Sequence, residues 1–314
     1  MKRYALFRVF WVASGLSMAM LAAPARAQEI PSGYREVLNY LGKKGDFAAK
    51  VFKVNLPRTD LQVRVAGVST PTAFGFGGWV AMTKVDGGNE VLMGDLVLLQ
   101  DEVNPVMTAL LDHGLDVTAL HNHFFWEEPR IFYLHIHGHG KAVELAHQLK
   151  PALDLIGRTA SPPAKPAGDP ASAWAPQGSL DTAKIAQIVG HAGEQAGPVY
   201  KITLGRDDVA VREHGAAINA RMGLNTWAAF YGRNENAMVA GDVAMLESEV
   251  TPVLKALRKN GLHVVAIHHH MTTAHPTIIF LHYWGRGPAE KLAAGFRAAL
   301  DVLGKGAHKS ASHY

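Results

Sequence analysis

The alternation and clustering of apolar positions divide this chain into short strands and a few helices, and the same division occurs twice. An amphipathic helix is predicted over residues 33–42, followed by β-rich runs near 50–56 and 61–66. A Gly-rich segment, Phe74 to Trp79, opens a longer strand pair that turns at Asp86-Gly87-Gly88-Asn89, with Leu92 to Leu99 as its second arm. Asn104-Pro105 reads as an N-cap with proline at the first helical position, and Gly114 as the glycine that stops that helix. Two strands, Val117 to Phe124 and Ile131 to His137, and a last helix, Lys141 to Ile156, complete the unit.

The second half repeats the order. Gly94 to Gly157 aligns without a gap on Gly241 to Gly304 at an offset of 147, with 28 of 64 positions identical. Earlier residues align at 148: Lys53-x-x-Leu56-x-Arg58-x-Asp60 on Lys201-x-x-Leu204-x-Arg206-x-Asp208. The second helix start is then Thr251-Pro252 and its stop Gly261. A period of half the chain means two similar domains, not a solenoid. The expected class is α+β: a tandem duplication of an antiparallel β-sheet domain with helices on one face. Residues 158–178, rich in Pro and Ala, read as a linker between repeats at 31–157 and 179–304, and residues 305–314 as a tail.

Composition changes the picture at the N-terminus. Lys2 and Arg3 precede a mostly apolar run ending at Ala25-Arg26-Ala27, the pattern of a signal peptide over residues 1–27. A periplasmic or secreted protein is expected after cleavage. The leader holds four of the 31 basic residues and none of the 27 acidic ones, leaving 27 of each. No basic field remains to attract nucleic acid, and no second apolar run reaches membrane-spanning length. A small molecule or cell-envelope component is the partner expected instead. With no cysteine, any first-row metal must be held by imidazole, carboxylate or water.

The candidate chemistry is in the histidines. His121 and His123 share one face of their predicted strand, and His135 and His137 face the same way on the next. The duplication repeats the set as His268, His270 and His282, while Trp284 stands in place of His137. A histidine alone on a strand is usually a hydrogen-bonded polar residue. Matched His-x-His pairs, each with a third histidine, are a way to hold a divalent metal, zinc first. Two geometries follow: a site within the first repeat beside a diverged second, or one composite site between the halves.

Asp95 and Asp242, each after a glycine in an apolar strand, are candidates to orient a histidine or accept a proton; the bland role is a structural partner for backbone or arginine. Glu102, with its counterpart Glu249, is a second acid/base candidate, although favourable helix-dipole electrostatics explains an acid there equally. No Gly-x-Ser-x-Gly elbow and no His-Glu-x-x-His helix occurs, so the usual serine hydrolase and zincin readings lack support.

The doubled pattern Gly-Asp…Glu-x-x-Pro-Val…Gly-Leu-x-Val-x-Ala-x-His-x-His…Pro-x-Ile…Leu-His resembles the LppY/LpqO family of exported bacterial proteins across most of the chain. That resemblance implies export but no reaction, and lipid anchoring does not carry over because the lipobox cysteine is missing. His-x-His followed after eleven residues by another His is also similar to the zinc ligands of acetolactate decarboxylases. That likeness implies His121, His123 and His135 as ligands for metal-polarised carbonyl chemistry.

Overall fold

The computed structural model describes residues 28–85, 87–158 and 179–304. Residues 1–27, where a signal peptide is expected, nearly all of the expected linker, residues 305–314 and Asp86 lie outside these. The first repeat runs α1 (Ser32–Leu41), β1 (Asp46–Ala48), β2 (Val51–Pro57), β3 (Val63–Val65), β4 (Val68–Thr70), β5 (Gly77–Lys84), β6 (Glu90–Leu99), α2 (Gln100–Asp112), β7 (Asp116–His121), β8 (Glu127–Glu128), β9 (Ile131–Gly140) and α3 (Ala142–Leu153). The second runs α4 (Thr182–Val189), β10 (Glu194–Ala196), β11 (Val199–Gly205), β12 (Val211–Glu213), β13 (Ala216–Ile218), β14 (Asn225–Arg233), β15 (Asn236–Leu246), α5 (Glu247–Lys259), β16 (His263–His268), β17 (Ile278–Gly287) and α6 (Ala289–Leu300).

Each repeat builds one six-stranded antiparallel sheet, in the orders β1-β2-β5-β6-β9-β7 and β10-β11-β14-β15-β17-β16. The pleat sorts the side chains of each sheet between two layers. Val54, Met82, Leu92, Leu96 and Leu134 face the helices of the first repeat, as Ile202, Phe230, Val239, Val243 and Leu281 do in the second. The opposite faces meet each other. Val97, Leu99, Ile131 and Tyr133 join Ala229, Met238, Ala240 and Trp284 in one shared apolar cluster. Val51, Ala81 and Met93 join Met222, Ala244 and Phe280 in another. The result is helix–sheet–sheet–helix, with the central strands of both six-stranded sheets buried on both faces.

Two expected boundaries move. Helices α2 and α5 begin at Gln100 and Glu247, four residues before Asn104 and Thr251, so Pro105 and Pro252 lie inside them. The reason is the acid at the third helical position. Glu102 accepts the backbone N–H of Leu99 at 2.7 Å, and Glu249 that of Leu246 at 2.8 Å, which fixes the earlier start. Strand β7 ends at His121, so His123 stands just beyond the ladder. A bulge between Val117 and Ala119 sets the register in which His121 lies opposite Tyr133.

Arg58 and Arg206 lock each repeat in the same way. Arg58 Nη1 donates to Glu102 at 2.6 Å and to the Val97 carbonyl at 2.8 Å, while its Nε and Nη2 engage Asp60. Arg206 repeats this with Glu249, Ala244 and Asp208. Both arginines are buried, and each forms a short-range ion pair with the aspartate two residues on.

A composite histidine centre between the repeats

The inward faces of the two sheets carry His121, His123 and His135 from one repeat and His268, His270 and His282 from the other, all buried. Their rings interleave across the boundary. His121 stacks on His268 at 3.8 Å between centroids, His123 on His282 at 3.7 Å, and His135 on His270 at 4.0 Å. Exchanging the repeats maps the second pair on the third and the first on itself, the mark of an approximate two-fold axis. The axis extends outward: Tyr133 stacks on His123 as Phe280 does on His270.

The ligand atoms converge. The imidazole nitrogens of His121, His135 and His268 lie within 4.8 Å of one another, as do those of His121, His123 and His282. Asp242, His268 and His270 form a further such group. Each group that includes a first-repeat histidine also includes a residue of the second repeat. The histidines of both copies are thus brought together in one cluster, because the sheets pack face to face, and those of the first repeat do not stand alone.

Local backbone groups prepare these rings. His282 Nδ1 sits 3.3 Å from the Gly241 carbonyl, and His121 Nδ1 3.4 Å from that of Asn122. Hydrogen bonding to backbone at Gly94 acts on His135 in the same sense. The Nε2 atoms of His121, His123, His135, His268 and His282 are buried without a hydrogen-bond partner. An Nδ1 held by a carbonyl leaves the Nε2 lone pair as the ligand, the usual division of labour in metal-bound imidazoles. Burial pushes His121 down to about 4 and holds the other five well below the ordinary imidazole range. All six are neutral at pH 7, the form that binds metal.

Asp95 and Asp242 lie in register with His135 and His282 on neighbouring strands. Burial raises both carboxyls, Asp95 well above the usual range and Asp242 up to about 7. Asp242 accepts the Leu281 N–H at 3.1 Å, and its Oδ2 is 3.8 Å from His270 Nε2 and 3.9 Å from His282 Nε2. Asp95 Oδ1 is buried without a partner. Arginine is not what these aspartates serve. Glu102 lies elsewhere, with its carboxylate bonded to Arg58, Leu99 and Gly157. His137 also stands apart from the six, against the second repeat's Glu213.

Sequence reasoning passed over two lysines at the edge of this centre. Lys53 Nζ lies 4.3 Å from the Trp79 ring and Lys201 Nζ 4.1 Å from that of Trp227. Burial lowers both ammonium groups to about 8, and Asp95 and Asp242 oppose that shift. The signal was available, since Lys53 and Trp79 recur as Lys201 and Trp227 at an offset of 148.

Fold and site together define a class: a duplicated α+β protein whose two sheets enclose a shared histidine cluster. The model of the Domain of Unknown Function (DUF1259) matches residues 35–155 and again 183–302, and the chain belongs to that family. No curated protein matches. Among solved structures, the trimeric bacterial microcompartment shell protein PduB is 12% identical over 81% of this chain and 86% of its own, with a TM-score of 0.19. EtuB from Clostridium kluyveri is 8% identical over 82% and 90%, also at 0.19. At that score neither likeness carries an argument about this chain.

Proposed function

We propose that this protein binds a divalent metal ion, zinc fitting best, at a centre completed only when both repeats are packed together. The observation that carries the reading is the convergence of buried, neutral imidazoles from both halves that keep ring nitrogens without hydrogen-bond partners. A buried polar atom without a partner costs free energy, and a bound cation removes that cost for several at once. Imidazole nitrogens suit zinc, copper(II) and nickel(II) alike, so availability decides among them.

The test is metal content of untagged protein beside His121→Ala and His268→Ala. A shared centre loses its ion in both variants. If His268→Ala retains the metal that His121→Ala loses, the site belongs to one repeat and the composite reading fails.

Asp242 supports a second reading, that the ion serves a metal-dependent reaction. A carboxyl near 7 within 4 Å of two candidate ligands is poised to exchange a proton at neutral pH. Turnover of carbonyl or ester substrates that vanishes with chelation would support it. Without turnover, the reading is a non-catalytic binder of metal or of a cell-envelope ligand. Periplasmic export is part of the proposal, supported by the leader pattern and by the LppY/LpqO resemblance, with which membership of the DUF1259 family is compatible. Among the described residues, no helix is long and apolar enough to cross a membrane.

A further inference from the structure

Strand β9 continues past the composite centre to His137 and His139, and there it meets the β12–β13 hairpin of the second repeat. His137 is buried, with its Nε2 3.2 Å from Glu213 Oε1. Glu213 is 1% exposed, a depth at which a carboxylate needs a counter-charge or a cation. Thr273 donates its hydroxyl to Oε1 at 2.7 Å, yet Glu213 Oε2 and His137 Nε2 are both buried without a hydrogen-bond partner. His214 follows Glu213 at φ 45°, and its exposed ring lies 5.3 Å from that of His137 and 5.1 Å from that of His139.

Ligand atoms of His137, Glu213 and His214 lie within 4.8 Å of one another. Two imidazoles and a carboxylate are a recurrent donor set for divalent first-row ions. Unlike the six-histidine centre, this cluster has an exposed side, formed by His214 and His139.

The duplication supplies an internal control. The positions that correspond to His137, Glu213 and His214 hold Trp284, Val65 and Ala66. There the three corresponding side chains are apolar: Trp284 and Val65 are buried in one cluster and Trp126 packs edge-on against Trp284 at 5.9 Å, while the buried Glu127 opposite Val65 comes from the same repeat's own strand β8. Ala66 has φ 48°, so the turn is the same. The same turn is therefore built with apolar side chains at all three positions, and its backbone does not require a glutamate and two histidines at the other end.

We propose that His137, Glu213 and His214 form a second metal site, for a divalent ion of the zinc or cobalt class, with His139 or water completing the coordination. This site is independent of the six-histidine centre, uses one strand of the first repeat and one hairpin of the second, and opens to solvent.

The test is titration of chelator-treated, untagged protein with Zn²⁺ and Co²⁺, following stoichiometry by calorimetry and the cobalt absorption bands. His214→Ala changes an exposed residue, and Glu213→Gln preserves shape; circular dichroism confirms that both fold. Each variant is expected to bind one equivalent fewer than wild type and to lose one set of cobalt bands. His268→Ala should leave that set intact. Unchanged stoichiometry and bands in both His214→Ala and Glu213→Gln would overturn the proposal. If His268→Ala alone changes nothing, the composite centre fails while this site stands.

Discussion

Replacing His121 by Asn should make the metal-free protein less sensitive to acid. His121 sits near 4 in the folded protein and near 6.5 in an unfolded chain. A base whose pKa is depressed on folding contributes its full stability above the unfolded value and loses it as pH falls toward the folded one. Between pH 7 and pH 5 the unfolded chain takes up a proton that the native protein refuses, which costs about 2 kcal/mol for this one residue. Asp242 works in the opposite direction, since its raised carboxyl is relieved by protonation in the same window. For that reason the difference between wild type and variant is the informative quantity. Urea unfolding, followed by tryptophan fluorescence at pH 7, 6 and 5 with chelator present, measures it. Wild type should lose about 2 kcal/mol more than the variant over that range. Equal losses would refute the claim that His121 is held neutral by burial.

Two further outcomes follow from the described contacts. Arg58→Ala strands Glu102 in the interior and should cost about 3–5 kcal/mol in urea unfolding, with Arg206→Ala close behind; a loss under 1 kcal/mol would show that the backbone donors at Leu99 and Gly157 suffice. Zinc at a hundredfold excess over its dissociation constant should stabilise the fold by about 2.7 kcal/mol per site, read as a rise in Tm that His268→Ala reduces.

Much of this architecture is legible in the sequence because it is written twice. Apolar periodicity and the offset of 147 locate the strands that carry His121, His135, His268 and His282, and the alternation aims those histidines at one face. Where that face points is a tertiary fact. No local pattern says that the two sheets turn their histidine faces toward each other. The proline signal points to helix starts at Asn104 and Thr251, whereas Glu102 and Glu249 reach back to cap the helices earlier. Lys53 and Trp79 were visible as repeated residues but carried no motif. Glu213 and His214 had no signal at all, because they occur in one copy and become meaningful only beside His137.

The near two-fold relation of His121 to His268 has a consequence for assembly. An unfused repeat with the same inward face would complete the same centre by pairing with its own copy about a dyad. Joining two such units in one chain makes the encounter intramolecular and independent of protein concentration. It also frees the halves from identity. A symmetric pair must carry any new residue at both ends of the axis, whereas a fused chain can keep Trp284 and Val65 at one end and set His137 and Glu213 at the other.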